Sequence, residues 1–351
     1  MRNNRASVRR RVMSLLVGLL VLVIGSAAAG WWVINQLWDR PQCTLNRPVR
    51  VRIPAGASLR EVVRILRDAG VVRHPQWLEW YFRWKRTDRR IRAGLYEFRG
   101  TLSTRDIHDH LLHGDYIVRV LRFPEGWDRF DVARYLARMG FGSETVILQR
   151  MRDPDVVAWI RDLDPEAPDL EGYLFPSTYT FFVDATLDEV LFRMVRTFRQ
   201  KWRPAWTQRA RELGWTVRQV VTLASMIEKE TPKRAERPMV SAVFHNRLRR
   251  GMRLECDPTV IYAWRLRGIQ PVPLQYAHLT IDSPYNTYKY SGLPPGPIAN
   301  PGLASLRAAL YPAAGDWLYF VADGTGGHRF ARTYGEHLRN VRRYRQWRRR
   351  E

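Results

Sequence analysis

The feature that most constrains this chain is a run of 23 residues, Val12 to Ile34, that contains no charged side chain. A helix of this length can cross about 30 Å of hydrocarbon. Five arginines and no acidic residue precede the run in residues 1–11, and tryptophans lie at its far end, as in an interfacial aromatic belt. The pattern predicts a transmembrane helix with a cytoplasmic N-terminus, and it places residues 39–351 outside the cell membrane.

The same run has a second interpretation as a cleaved signal peptide, because residues 26–30 (SAAAG) offer small side chains for a processing site. The run is longer than a usual signal-peptide core and continues past those alanines, which favours an uncleaved anchor. No second apolar run of this length occurs in the sequence, so we expect a single-pass protein.

The rest of the chain has the composition of one large or two medium folded domains. Apolar residues make up 45% of the sequence, which includes 14 tryptophans, enough for a packed core. The two cysteines, Cys43 and Cys256, do not form a disulfide framework. Since Cys43 lies in the segment that follows the apolar run, we expect both thiols to be free.

The formal net charge of +24 predicts an anionic partner. Residues 1–11 contribute +5 and residues 338–351 contribute +6, which leaves +13 on the remainder. Nucleic acid is not the expected partner, because the folded part is predicted to lie outside the membrane and carries no recognised nucleic-acid-binding motif. Anionic lipid head groups or an acidic cell-wall polymer remain. The alternative is an arginine-rich composition with basic ends that face the membrane.

Residues 48–117 are predicted to form a small module of the order βααβα. Helices are predicted over 59–69 and 74–85, a strand over 95–98, and a last helix that ends at Gly114. Ser58 with Glu61 has the pattern of a capping box at the first of these helices. A module of this size is too small for much chemistry and suits binding or positioning.

The chain beyond residue 117 is predicted to be larger and mixed. The predicted helices cover 129–139, 143–152, 186–201, 204–213, 216–230, 234–250 and 303–310. The predicted strands cover 117–123, 317–322 and 327–331. Proline- and glycine-rich loops at 280–302 are expected to be rigid and to shape a cleft.

A glutamate interrupts the apolar stripe of the predicted helix over residues 216–230. Four residues at spacings of four, three and four share one face of this helix: Val217, Val221, Ala224 and Glu228. A carboxylate on an apolar face either pairs or has its pKa raised, and a raised pKa makes it a usable general acid. Glu230 faces another side of the helix. The alternative is an acid that simply pairs with Lys229, Lys233 or an arginine.

Two further segments contain candidate ligand-binding residues. Residues 170–176 (LEGYLFP) combine Glu171 and Tyr173 in a predicted loop, and aromatic faces beside carboxylates suit sugar rings. Core packing and capping are the alternative there. Asn246 and Arg247 could donate hydrogen bonds to a ligand, or could belong to a polar helix face.

The histidines do not indicate a metal site. His108, His110 and His113 lack the spacing of a known metal motif, so a solvated helix face is expected.

The chain resembles the endolytic murein transglycosylases, the MltG/YceG-like family. Eight segments carry the resemblance in one order along the sequence. They are 170–176 (LEGYLFP), 223–231 (LASMIEKET), 243–248 (VFHNRL), 251–254 (GMRL), 257–262 (DPTVIY), 285–288 (YNTY), 292–298 (GLPPGPI) and 318–323 (LYFVAD).

The resemblance implies an α+β protein with a single N-terminal transmembrane helix, a small LysM-like module and a larger mixed α/β catalytic domain. The expected division is a cytoplasmic arm (1–11), a transmembrane helix (12–34), a linker (35–47), the LysM-like module (48–117), the catalytic domain (118–337) and a basic tail (338–351). The implied location is the plasma (inner) membrane, with the catalytic part outside the cytoplasm.

The implied reaction is cleavage of peptidoglycan glycan strands between MurNAc and GlcNAc, with 1,6-anhydro-MurNAc ends and without a cofactor or metal. The family's acid glutamate falls on Glu228. The candidates for holding the sugars are Glu171, Tyr173, Asn246, Arg247, Tyr285, Asn286 and Tyr288. Membrane lipid and cell-wall synthases are the further partners, and the implied role is termination of nascent strands.

Other functions remain open at this point. A non-catalytic wall-binding anchor that recruits synthases would need only the small module and the basic surface. A nucleic-acid-binding membrane protein would show steeply salt-dependent DNA binding. A hydrolytic glycosidase would need a second carboxylate, for which Asp257 and Glu171 are the candidates.

Overall fold

The computed structural model describes residues 3–114, 116–271 and 273–349, with only the backbone described for 3–12 and 14–18. The chain forms two compact units. The first contains the residues up to Arg119 together with Thr180–Asp184, and the second contains Val120–Tyr179 and the residues from Ala185 onward.

Helix α1 (Asn3–Trp38) contains a stretch, Leu19–Trp38, that is long and apolar enough to cross a membrane. Its large apolar side chains are exposed to solvent, with Leu22 68% and Trp32 65% exposed. An apolar helix with no core to pack against is well suited to a lipid environment. The helix extends beyond the predicted run at both ends.

The small module has the predicted order of elements. Its elements are β1 (Pro41–Ile53), α2 (Leu59–Asp68), α3 (Pro75–Lys85), β2 (Gly94–Ser103) and α4 (Thr104–His113). The strands pair antiparallel, with Val51 opposite Tyr96. The helices bury an apolar face on this hairpin, through residues such as Leu66 and Phe82.

Two predictions for this part of the chain are wrong. Residues 35–47 do not form a linker, because 35–38 continue α1 and 41–47 already belong to β1. The reason is that β2 extends to Ser103 and supplies hydrogen-bonding partners for the early part of β1. Cys43 therefore lies in a strand, although both cysteines are free as predicted.

The second correction concerns His108, which is buried rather than on a solvated face. Its ring nitrogens lie 2.9 Å from the Thr87 hydroxyl and 2.7 Å from the Asp109 carboxylate. Burial lowers the pKa of His108, against the effect of Asp109. It is a core histidine with both nitrogens satisfied.

The second unit is mostly helical, with short two-stranded sheets, and the division between the units falls within β3 and β4. Its elements follow in chain order: β3 (Val118–Arg122), α5 (Arg129–Arg138), α6 (Glu144–Arg150), α7 (Pro154–Val157), β4 (Thr178–Phe182), α8 (Leu187–Lys201), α9 (Pro204–Glu212), α10 (Val217–Glu230), α11 (Arg237–Arg249), α12 (Asp257–Arg265), α13 (Leu303–Leu310), β5 (Tyr319–Ala322), β6 (His328–Ala331) and α14 (Tyr334–Arg348).

Helix α10 is the central element of the second unit. Thr216 caps it through a capping box, since its hydroxyl accepts from the Gln219 backbone N–H and the side-chain oxygen Oε1 of Gln219 accepts from the Thr216 N–H. Residues on every side of the helix are buried, from Val217 to Glu228. The predicted stripe is thus one part of a helix that is enclosed almost completely.

Candidate functional site

Glu228 lies in the last turn of α10 with its side chain only 4% exposed. One carboxylate oxygen accepts a hydrogen bond of 2.6 Å from Nη2 of Arg237 at the start of α11. The other oxygen accepts 2.9 Å from the backbone N–H of Gly302, which caps α13. Glu228 is therefore both buried and paired with an arginine, so the structure contains the pairing that the sequence left open as an alternative.

The environment of Glu228 favours a proton on its carboxyl group. Burial raises the pKa above its ordinary value. The Gly302 N–H, the Arg237 guanidinium and the Ser305 hydroxyl oppose this shift, and Glu125 adds to it. The net direction is upward, which is the direction that a general acid requires near neutral pH.

Two loop segments hold the surroundings of Glu228 in place. The Gly126 N–H donates to the Asn300 carbonyl at 3.1 Å, and the Asn300 N–H donates to the Trp127 carbonyl at 2.8 Å. The Asn300 side chain also donates to the Trp127 carbonyl at 2.9 Å. Since Gly302 lies two residues beyond Asn300, this clamp fixes the N–H group that Glu228 accepts from.

Glu171 belongs to a buried network on the other side of Asn300. Its carboxylate accepts from the Arg129 N–H at 3.0 Å, from the Tyr262 hydroxyl at 2.9 Å and from the Asn300 side chain at 3.3 Å. Burial, with a contribution from Asp128, raises the pKa of Glu171 to about 8. A carboxyl group with this many internal partners supports the fold around it.

The other predicted sugar-binding residues are also bonded within the protein. The Tyr173 hydroxyl donates to Asp164 at 2.7 Å. Asn246 donates to the carbonyls of Gly315 and Trp317, and Arg247 donates to that of Leu318. Asn286 donates to the carbonyls of Leu279 and Ile281, while the Tyr288 hydroxyl donates to Asp257 at 2.5 Å.

Tyr285 and Tyr288 differ from this set because both rings are only half-buried. Tyr285 packs on Tyr262 with 5.1 Å between ring centroids, and Tyr262 in turn holds Glu171. The structure thus joins Tyr285 to the Glu171 network, whereas Asn246 and Arg247 support the β5 region.

Glu230, two residues beyond Glu228, has a different set of partners, as predicted. Burial raises its pKa to about 7, while a hydrogen bond from the Cys256 thiol lowers it. The two carboxylates of the EKE segment therefore lie in separate environments, and only Glu228 faces Arg237 and Gly302.

Four residues of the Glu228 site escaped the sequence analysis: Glu125, Arg237, Asn300 and Gly302. Arg237 is the one with a local signal, since a basic residue at the start of the next helix lies close to the C-terminus of the preceding helix. Gly302 and Glu125 gave no such signal, because Gly302 is 74 residues from Glu228 and Glu125 is 112 residues from Arg237. In the described parts of the chain, no group of three or more His, Cys, Asp or Glu side chains could hold a metal ion.

Comparison with known proteins places this site in context. A model of the YceG-like family matches residues 51–343. The endolytic murein transglycosylase of Bacillus subtilis (strain 168) is 32% identical over 313 residues, which cover 84% of each chain. The endolytic murein transglycosylase of Streptococcus pneumoniae (strain D39) is 30% identical over 362 aligned positions. That alignment covers 95% of this chain and 65% of the pneumococcal protein.

A solved structure is also similar. The yceG-like protein lmo1499 from Listeria monocytogenes matches with a TM-score of 0.57 and 33% sequence identity. The match covers 83% of this chain and 98% of the Listeria chain.

Proposed function

The chain belongs to the YceG-like family, and from this premise we propose that it is a lytic transglycosylase that cleaves peptidoglycan glycan strands between MurNAc and GlcNAc. Relatives that carry the name endolytic murein transglycosylase share about a third of its residues over most of its length. The observation that carries the proposal is Glu228, a buried carboxyl group with a raised pKa beside a fixed N–H donor.

In the proposed reaction Glu228 acts first as an acid and then as a base. It donates its proton to the glycosidic oxygen, and the bond from that oxygen to C1 of MurNAc breaks. The C6 hydroxyl of the same sugar attacks C1 and gives its proton to Glu228, which closes the 1,6-anhydro ring. Water does not take part, so one carboxyl group suffices where most glycosidases need two.

Intramolecular attack explains why the second carboxylate is dispensable. A well-oriented group within the substrate reaches effective molarities of about 10⁵ M or more. The protein then has to hold the MurNAc ring so that O6 faces C1. We propose Tyr285 and Tyr288 as the sugar-contacting members of the predicted set, because their rings are half-buried. Glu171, Tyr173, Asn246, Arg247 and Asn286 would position the surrounding loops.

The small module and the basic surface are proposed to bind the same polymer. The module of β1 to α4 is proposed to be LysM-like and to hold glycan. The arginines of α14 would bind the carboxylates of glycan-attached peptides. Arg332, Arg339 and Arg343 line a cavity of about 370 Å³ together with Glu336, Trp317 and Phe330. Three guanidinium groups against one carboxylate would give an anionic group several donors.

The proposed location is the plasma membrane, with α1 as a single-pass anchor and the second unit outside the cytoplasm. The arginines before the apolar stretch favour a cytoplasmic N-terminus. Anchoring would keep the site within reach of nascent strands, so termination of glycan polymerisation, in contact with synthases, is the proposed cellular role.

The experiment that tests this function is mass spectrometry of the products from purified peptidoglycan. The full chain in detergent is compared with its Glu228→Gln variant. Anhydro-MurNAc ends from the wild type alone would support the lytic reaction with Glu228 as the acid. Reducing MurNAc ends would indicate a hydrolase with a second carboxylate. Binding to sacculi without any product would leave the non-catalytic anchor as the function.

A further inference from the structure

Glu228 is subject to two opposing influences in this structure. It must carry a proton to act as an acid, yet its carboxyl group lies 2.6 Å from the guanidinium of a buried arginine. A cation at this distance stabilises the ionised form of a carboxyl group. If Arg237 had no other partner, the pair would hold Glu228 in the state that cannot donate a proton.

A second carboxylate lies against the same guanidinium. Oε2 of Glu125 is 3.5 Å from Nη2 of Arg237, the nitrogen that also contacts Glu228. Glu125 is 32% exposed, whereas the side chains of Arg237 and Glu228 are each 4% exposed. Arg237 is thus shared between one buried carboxyl group and one that water can reach.

The position of Glu125 is fixed by the loop clamp between residues 125–127 and 300–302. The Glu125 carboxyl group packs directly on the α-carbon of Gly302, so that a Cβ added there would collide with it. Its other oxygen accepts 3.1 Å from Nη2 of Arg234, which is 71% exposed. Glu125 is therefore held beside the N–H group that Glu228 accepts from.

Arg237 can change its partner without breaking other bonds. Its Nε and Nη1 atoms are buried and have no hydrogen-bond partner among the described residues. Two cations among the described residues lie beside this pair: Arg234, which holds Glu125, and Lys229, whose Nζ donates to the Gly126 carbonyl at 3.2 Å.

We propose that Glu125 is a positioning residue that competes with Glu228 for Arg237. While Glu228 carries its proton, Arg237 pairs with the ionised Glu125, and it returns to Glu228 when the proton has passed to the glycosidic oxygen. One proton moves from Glu228 to the leaving group and one returns from O6, so no other reactant is needed. The inference rests on the proposed role of Glu228 as the acid.

The test is the pH dependence of kcat and kcat/KM for release of anhydro ends from uncross-linked glycan strands by the full chain. In the Glu125→Gln variant Arg237 pairs with Glu228 alone. The alkaline limb of the profile, where Glu228 loses its proton, is then expected about one pH unit lower than in the wild type. Activity would fall about tenfold above the limb and recover at lower pH. A merely structural role would lower activity equally at all pH values.

In two further variants the direction of the shift of the alkaline limb tests the proposal, because a folding defect would not move the limb in a defined direction. Glu125→Asp keeps the charge and should restore the limb toward its wild-type position. Arg234→Gln removes the competing cation from Glu125, so the limb should move to higher pH, opposite to Glu125→Gln. Arg234 is highly exposed, and this variant is expected to fold even if Glu125→Gln does not. Glu212→Gln, which removes an exposed carboxylate paired with Arg209, is the matched control and should leave the profile unchanged.

The Glu228→Gln variant separates the two proposals. If it still releases anhydro ends, Glu228 is not the acid, and both its assigned role in the proposed function and the competition for Arg237 fail. If it is inactive while the limbs of Glu125→Gln and Arg234→Gln coincide with that of the wild type, only the role of Glu125 is overturned. An alkaline limb at lower pH in Glu125→Gln and at higher pH in Arg234→Gln would support the competition for Arg237.

Discussion

Glu171 is 4% exposed, and burial raises the pKa of its carboxyl group to about 8. A raised pKa means that the folded protein binds this proton more tightly than the unfolded chain, whose glutamate has an ordinary pKa of 4.5. The resulting stabilisation is fully present below pH 4.5 and is lost as the pH rises through about 8. Loss of the proton from Glu171 therefore lowers the free energy of unfolding at alkaline pH.

Replacing Glu171 by glutamine should remove this contribution. Each pKa unit corresponds to about 1.4 kcal/mol, so the wild type should lose about 2–4 kcal/mol more between pH 5 and pH 8 than Glu171→Gln does. Urea unfolding of both proteins at pH 5, 6.5 and 8 measures the difference. Glu230 titrates in both proteins and cancels in the comparison, whereas Asp128 interacts with Glu171, so any change in the pKa of Asp128 is part of the measured difference. Parallel stability curves would contradict the prediction.

Gly302 is the other residue at which a small change should have a large effect. A methyl group there would collide with the Glu125 carboxyl group and displace it from Arg237, the residue that also holds Glu228. We expect Gly302→Ala to lower the cleavage rate by about tenfold or more, because a displacement of about 1 Å in a catalytic contact can cost about 100-fold. The rate is measured as release of anhydro ends.

The matched control for this change is Gly335→Ala in α14. A Cβ at Gly335 meets only Arg339 Nη1, at an ordinary 3.8 Å. Alanine is the better helix former, so this variant should keep its activity and unfold at a slightly higher urea concentration. Equal rates for the two variants would mean that the packing at Gly302 does not position the site.

At the scale of elements, α10 could be predicted and α12 and α14 could not, for physical reasons. Helix α10 has a capping Thr216, an apolar stripe and a proline after its end, and the structure gives it the predicted bounds within one residue. Helix α12 begins at Asp257, after Cys256, whose side chain provides no cap, and it has Pro258 in its first turn. Helix α14 has no buried residue, so its sequence carries no apolar stripe and resembled a basic tail.

The same exposure makes α14 the element where charge can be altered without disturbing a core. The double variant Arg339→Gln with Arg343→Gln removes two guanidinium groups from the cavity beside Trp317. We expect sacculus binding at low salt to weaken several-fold and the difference to shrink as salt screens the remaining charges. Co-sedimentation with purified sacculi over a salt series measures both effects.

The control for this prediction is an equal loss of charge elsewhere. Arg193 and Arg196 are exposed on α8, three residues apart. If Arg193→Gln with Arg196→Gln weakens binding as much as the α14 variant does, the effect reflects net charge alone and the α14 cavity has no special role.

At the scale of the whole molecule, the site depends on contacts that no local pattern reveals. Arg237 meets Glu125 across 112 positions of sequence, and Glu228 meets Gly302 across 74. The sequence indicated Glu228 because this carboxylate falls on the apolar face of the helix, at the spacing of three and four residues that places a side chain in the core. The partners that set its protonation come from loops, and loop contacts follow from the packed fold rather than from periodicity.

The anchor is the whole-molecule feature on which the proposed role near nascent strands depends. Within α1, residues 19–34 are exposed, so water is an unfavourable environment for this apolar stretch. We expect the chain to stay in the membrane fraction after alkaline carbonate extraction and to keep a tag placed before residue 1. Loss of the tag with release of the remaining chain would show cleavage near residues 26–30 and remove the anchor from the mechanism. An alkaline phosphatase fusion after residue 351 should be active, since α1 would carry the second unit across the membrane, whereas a cytoplasmic second unit could not reach peptidoglycan at all.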